Sequence, residues 1–153
     1  MELSNFIFVF PDFFTIVTAV IVSQVITTCY YAYNIFGRLQ MQLRNTLFLT
    51  PERRESLAYD EPQTGPLASI IATIILTLIV HEIQYVYKIE NYSTAIIINL
   101  FLWFVVSALS FTRYVSYNLP VLLFLIDTLH DCVQLLGIAI TIQYFINKNS
   151  KYF

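Results

Sequence analysis

Residues Phe13–Phe36 run for 24 positions without a charged side chain. As an α-helix rising about 1.5 Å per residue, this segment exceeds the roughly 30 Å hydrocarbon core of a bilayer. Three further segments are similarly apolar: Leu67–Tyr87, Ser93–Thr112 and Leu119–Asn147. The pattern predicts an all-α polytopic integral membrane protein, with four transmembrane helices in a single membrane domain over residues 1–153.

The composition supports this class. Hydrophobic residues make up 58% of the chain and charged residues 12%, whereas soluble domains have roughly 45–50% and 25%. The formal net charge is −2, which gives no electrostatic basis for binding nucleic acid. We therefore expect membrane lipids and other membrane protein subunits as partners.

The long polar stretch lies between the first two predicted spans, at Arg38–Pro66. Its first part, Arg38–Leu49, has the pattern of an interfacial amphipathic helix. Its arginines are candidates for contacts with lipid headgroups or partner subunits, and Arg113 after the third span is a further candidate. The four arginines of the loop are Arg38, Arg44, Arg53 and Arg54.

The distribution of basic residues predicts the orientation. The long loop and the joint after the third span together carry five Lys and Arg residues, and the termini and the remaining joint carry three. Since cytoplasmic loops are enriched in basic residues, this bias places both termini on the outer, translocated side of the membrane, or on the intermembrane-space side in a mitochondrion.

Polar side chains fall on one face of each span. In the fourth span, Asp127, His130, Asp131 and Gln134 follow the i, i+3, i+4, i+7 spacing of a helix face. The second span has such a face at Ser69, Thr73, Thr77, His81 and Tyr85, with Glu82 beside it. We expect these faces to meet inside the bundle through interhelical hydrogen bonds. Because the two spans run in the same direction, the two histidines are expected at similar depth.

The acids and histidines form a candidate proton relay or a set of buried charges: His81, Glu82, Asp127, His130 and Asp131. Acids within a span are costly and usually mark a function. Asp127 and Asp131 lie one turn apart, so one of them should keep its proton or be neutralised by His130 or Arg113. We expect Asp131 to face the interior with a raised pKa or a cationic partner. The alternative is a purely structural charge pair.

These patterns favour a small membrane subunit of a larger complex, with a structural or proton-handling role and no catalytic activity of its own. A respiratory-chain complex of the mitochondrial inner membrane is the expected kind, since the preferred residues have A/T-rich codons. The alternatives are a stand-alone proton or ion carrier and a small haem-binding or lipid-substrate enzyme. No cofactor and no metal site is predicted; in the haem alternative, His81 and His130 are the axial ligands.

Overall fold

The computed structural model of the chain describes residues 10–47, 65–116 and 120–150. This part is helical throughout and contains no strand. Four of the α-helices in this part are long and apolar enough to cross a membrane, which confirms the prediction of four helices of this length and hydropathy. The α-helices are α1 (Phe13–Tyr30), α2 (Arg38–Leu47), α3 (Gly65–Val86), α4 (Tyr92–Ser116) and α5 (Val121–Ser150).

Helix α1 begins where the sequence predicts. Asp12 caps it, and its Oδ1 accepts a hydrogen bond of 2.7 Å from the backbone N–H of Thr15. The predicted end at Phe36 is wrong, because the α-helix stops at Tyr30. The backbone leaves the helix at Ala32, whose ψ of 141° is extended. An uncharged sequence can therefore continue past the end of its helix, and hydropathy did not reveal this break.

A π-helical turn, Tyr33–Gly37, follows the break and leads directly into α2. The N–H of Gly37 donates to the carbonyl oxygen of Ala32 at 3.2 Å. A Cβ atom at position 37 would collide with the carbonyl oxygen of Tyr31. Glycine at this position therefore allows the turn to close and brings α2 back against the bundle. The predicted amphipathic helix from Arg38 is present through Leu47, and residues 48–64 lie outside the described part.

Helix α5 is the centre of the arrangement, and α1, α3 and α4 pack against it. The pairs Thr27–His130 and Ser23–Gln134 show that α1 runs antiparallel to α5. Helix α4 is also antiparallel to α5, whereas α3 runs parallel to it. The start of α1 and the end of α5 therefore lie at the same end of the bundle.

The apolar core forms where α1, α3 and α5 meet. Small side chains on α1 and α5 allow close approach, as is common between transmembrane helices. Leu102 and Trp103 of α4 pack against this core from a second side. The buried cluster comprises Ala19, Val80, Leu135, Ile138, Ala139 and Ile142.

Helix α3 ends in a Schellman motif at Lys88. The N–H of Lys88 donates to Tyr85 O at 3.1 Å, and the N–H of Ile89 donates to Gln84 O at 3.0 Å. Lys88 has a φ of 47°, a left-handed conformation that glycine usually occupies at this position. The short joint to α4 therefore begins with a tight reversal, and the side chain of Ile89 is buried there.

Candidate functional site

The carboxylate of Asp127 accepts hydrogen bonds from three different segments of the chain. Tyr31, just past α1, donates its hydroxyl to Oδ1 at 3.2 Å. Gln40 of α2 donates from Nε2 to the same oxygen at 2.9 Å. Tyr114 of α4 donates its hydroxyl to Oδ2 at 2.5 Å. Because Asp127 itself belongs to α5, this one side chain connects four elements at one end of the bundle. We call these four residues the Asp127 cluster.

Neutral donors thus surround this acid. Hydrogen bonds to an ionised carboxylate are roughly twice as strong as those between neutral groups, so these three donors are strong partners for a charged Asp127. Burial and the nearby charge of Asp127 raise the pKa of Tyr31. Tyr31 therefore remains protonated, and a donor, at physiological pH. The expected neutralisation by Arg113 concerns a side chain outside the described part.

His130 lies one turn deeper in a buried position. Its Nε2 is 3.0 Å from the hydroxyl of Thr27, and its Nδ1 is 3.3 Å from Oδ1 of Asp131. The rings of Tyr30 and Tyr31 lie against the imidazole, with centroid distances of 5.3 and 4.8 Å. The three polar groups form a continuous chain from Asp131 through His130 to Thr27, which is the kind of contact a proton relay requires.

Asp131 differs from the sequence expectation in its burial. We expected it to face the protein interior, but its side chain is 59% exposed, whereas that of His130 is 10% exposed. The physical reason is that no helix among the described residues covers α5 at this level on this side. The cationic Lys or Arg partner expected for Asp131 is not found in the described part, where Oδ1 of Asp131 contacts Nδ1 of His130.

The polar faces of α1, α3 and α5 meet as predicted, one turn beyond His130 along α5. The hydroxyls of Ser23 and Thr73 lie 3.2 Å apart. Gln134 reaches both of them, with Nε2 at 2.5 Å from Ser23 and 3.4 Å from Thr73. Ser23 and Thr73 are buried. This group has the properties of interhelical hydrogen bonding that holds a bundle together.

His81 and Glu82 are buried near the other end of α3, where the ring of His81 stacks on that of Tyr85. The expected equal depth of the histidines is wrong. Thr73 contacts Gln134 and Gln84 contacts Ala139, so His81 lies between these two levels of α5, whereas His130 lies one turn before the first of them.

The described residues contain no group of three or more His, Cys, Asp or Glu side chains that could hold a metal ion.

The structure divides the five predicted acid and histidine positions into two sets. Asp127, His130 and Asp131 lie near the end where α1 stops, and His81 and Glu82 lie near the end where α3 stops.

Sequence reasoning missed the amides that connect the second end. Gln84 donates to Ala139 O at 3.2 Å, and Gln143 donates to Ile89 O at 2.8 Å. Trp103 similarly donates to Thr128 O at 2.7 Å. A signal existed for the glutamines, because an amide inside an apolar span must find a partner. No comparable signal existed for Gln40, since its contact depends on the turn that returns α2 to the bundle.

The predicted arginine contacts fall mostly outside the described part. Arg53 and Arg54 lie there, as do the side chains of Arg44 and Arg113. Arg38 is described: it is the first residue of α2 and its side chain is exposed. It therefore lies beside the Asp127 cluster in the chain, two positions from Gln40.

No protein family, curated protein or solved structure matches this chain. What the chain does must therefore be argued from its own helices and side chains.

Proposed function

We propose that the chain is a small integral membrane subunit of a larger membrane-protein assembly. One observation carries this proposal: Asp131 presents a carboxylate that is 59% exposed on a helix long and apolar enough to span a bilayer. Placing a carboxylate against lipid near the centre of a membrane-spanning helix costs about 2.5–3.5 kcal/mol or more. A neighbouring protein surface removes that cost, so the exposed acid favours a chain that functions in contact with other subunits.

The four apolar helices span the membrane in this proposal, with both termini on the same side. The directions of α1, α3, α4 and α5 support an even number of crossings, and the excess of basic residues in the first loop supports placing that loop on the cytoplasmic or matrix side. Arg38, Arg44, Arg53 and Arg54 then contact lipid headgroups or partner subunits on that side.

An energy-transducing complex of the respiratory chain, in the mitochondrial inner membrane, is the kind of assembly that we propose. The abundance of Phe, Tyr and Ile beside only three glycines supports an A/T-rich organellar gene. The role within the complex is structural through the Asp127 cluster, and proton-handling through His130 and Asp131. His81 and Glu82 are adjacent buried residues on α3 and lie apart from these two groups.

A second candidate is a stand-alone proton or ion carrier, and one observation favours it. The chain of contacts from exposed Asp131 through buried His130 to Thr27 joins the outside of α5 to the polar interface with α1. A carrier needs no partner subunit, so the two candidates predict different behaviour of the purified chain.

The test is purification of the epitope-tagged chain from its native membranes in mild detergent. We expect migration on a native gel with a large assembly and identification of stoichiometric partner subunits by mass spectrometry. The same chain, isolated and reconstituted in liposomes with a pH-sensitive dye inside, should not conduct protons. Migration as a lone chain together with proton flux in liposomes would reject the subunit proposal in favour of the carrier.

A further inference from the structure

Asp131 belongs to the stripe of α5 that builds the core. Leu135, Ile138 and Ile142 follow it at the spacing of one helix face, and all three are buried. The side of α5 that is covered over most of its length is thus uncovered at Asp131. The exposure of this acid arises from an opening in the bundle, and not from a position on the outer side of the helix.

The neighbouring contacts show where the opening lies. Three residues before Asp131, the carbonyl of Thr128 accepts a hydrogen bond from Trp103 of α4. Three residues after it, Gln134 contacts Ser23 of α1 and Thr73 of α3. On a helix these positions lie about 60° to either side of Asp131. Asp131 therefore points between α4 on one side and the α1–α3 pair on the other. The opening is narrow along α5, because Thr128 and Leu135, one turn to either side of Asp131, are buried.

The depth of Asp131 determines what can occupy this opening. Tyr30, the last residue of α1, donates to the carbonyl of Ile126. Asp131 therefore lies about five residues, or roughly 7 Å, inward from the level where α1 ends. An occupant within the hydrocarbon region must satisfy its own backbone hydrogen bonds, so it is a helix. The short aspartate side chain lacks the long apolar stem that lets Lys and Arg reach headgroups.

The charge determines the side chain that the occupant carries. His130 contacts one oxygen of the Asp131 carboxylate, while the imidazole is also held by Thr27. A carboxylate can accept about four hydrogen bonds, so further acceptor capacity points into the opening. Asp127 contrasts with it, because three donors already surround that carboxylate. The charge complement of Asp131 is a cation at the same depth.

We propose that a transmembrane helix of another subunit packs across the opening between α4 and the α1–α3 pair, and that a lysine or arginine of this helix enters the opening and pairs with Asp131. This inference rests on the proposed function and adds to it the location and the charge of the contact. Because the pair would be shielded from water, removing its negative charge leaves a buried cation, which weakens association strongly.

The experiment compares two variants of the tagged chain in its native membranes, Asp131→Asn and Asp131→Glu. Asparagine keeps the shape and removes the charge, whereas glutamate keeps the charge. We expect Asp131→Asn to lower the fraction of chain that co-migrates with the assembly about tenfold or more, and Asp131→Glu to retain most of it. Thermal unfolding followed by the fluorescence of Trp103 should show that both variants remain folded.

A photo-crosslink identifies the occupant. Val106 is 48% exposed on the face of α4 that also carries the buried residues Ala95 and Asn99. It is replaced by the photoreactive residue benzoylphenylalanine, and Val133 on the other side of α5 serves as the control position. We expect the Val106 variant to capture a hydrophobic segment of another subunit that contains a lysine or arginine. A cross-link to a second copy, to residues 48–64 of the same chain or to lipid alone would overturn the inference.

The two proposals can fail separately. If the wild-type chain co-migrates with an assembly and Asp131→Asn co-migrates equally well, the Asp131 contact is refuted and the subunit proposal stands. If the wild-type chain never co-migrates with other subunits, the subunit proposal itself is refuted.

Discussion

The two ends of the bundle hold their polar side chains in different ways. At the end where α1 stops, donors from α2, α4 and the residue after α1 converge on the single carboxylate of Asp127. At the end where α3 stops, Gln84 donates to a backbone carbonyl of α5, and Gln143 donates to the carbonyl of Ile89 in the joint after α3. A carboxylate can accept about four hydrogen bonds, whereas an amide oxygen accepts about two and its nitrogen must find acceptors. One charge can therefore organise four elements, while each amide connects a pair.

The two ends also differ in how many of their buried polar atoms have a hydrogen-bond partner. Both oxygens of Asp127 have donors. Within the described residues, no donor reaches the buried amide oxygens of Gln84 and Gln143. A buried acceptor without a donor costs free energy, which offsets part of what the amide nitrogens gain. The end built on Asp127 should therefore contribute more to stability than the end built on glutamines.

Replacing Asp127 by alanine should have the largest effect. The change removes three hydrogen bonds to an ionised acceptor and leaves half-buried donors from three segments, so we expect a loss of about 3–5 kcal/mol in the free energy of unfolding. The measurement is thermal unfolding in mild detergent, followed by the fluorescence of Trp103, the only tryptophan of the chain.

Asp131→Ala is the matched control for that prediction. Its side chain is exposed, one turn away on the same helix, so we expect the isolated chain to lose less than about 1 kcal/mol. Equal losses for the two alanine variants would show that the hydrogen bonds of the Asp127 cluster do not organise this end of the bundle.

Gly37→Ala should have the second largest effect, because Gly37 closes the turn that brings Gln40 to Asp127. Its added Cβ would meet the carbonyl oxygens of Tyr31 and Ala32, and backbone atoms cannot move aside without opening the turn. We expect a loss of about 1–3 kcal/mol, the usual cost of overpacking. At Gly137 the Cβ would meet the flexible end of the Ile26 side chain instead. Gly137→Ala should therefore cost clearly less in the same unfolding measurement, and a reversed order would contradict this account of the turn.

The sequence predicted the elements better than the contacts between them. Four long apolar stretches were enough to predict four membrane-length helices, since length and hydropathy are local properties. The end of α1 was mispredicted because Tyr31 and Ala32 are as uncharged as the helix before them. The break depends on the π-helical turn that follows and on the glycine that ends it, and neither changes the hydropathy.

The acids show the same limit. Helix spacing placed Asp127, His130 and Asp131 on one face, and the contacts of His130 agree with that. Spacing could not show that Asp127 is surrounded by donors and Asp131 is not, because the difference depends on which other helices lie at each level. The depth of His81 relative to His130 likewise depends on where α3 meets α5, and Gln134 with Thr73 determines that level.

Replacing Gln143 by leucine tests the weaker end. The change removes the donor from Ile89 O but also removes a buried amide oxygen that lacks a donor in the described residues. These terms oppose each other, so we expect a loss of about 1 kcal/mol or less. Tyr144→Phe, at an exposed neighbour on α5, should leave the unfolding temperature unchanged. A loss as large as that of Asp127→Ala would abolish the contrast between the two ends.

Lys88→Gly should have the smallest effect, and it should be stabilising. Lys88 adopts a φ of 47° at the end of α3, where a side chain crowds the backbone and glycine does not. The hydrogen bonds of the motif, from Lys88 N to Tyr85 O and from Ile89 N to Gln84 O, involve backbone atoms and survive the change. The greater freedom of glycine in the unfolded chain opposes part of this gain. The net increase in the free energy of unfolding should therefore be about 0.5–1 kcal/mol.

Lys88→Val is the opposing control, because a β-branched side chain is strained in the left-handed region and should lower the unfolding temperature. Lys88 is exposed, so neither variant changes the packing of the core. The difference between their unfolding temperatures therefore reports the backbone conformation at this position. If glycine destabilised α3 as much as valine does, the lysine side chain itself, and not the Schellman geometry, would be what ends this helix and positions the Ile89 carbonyl for Gln143.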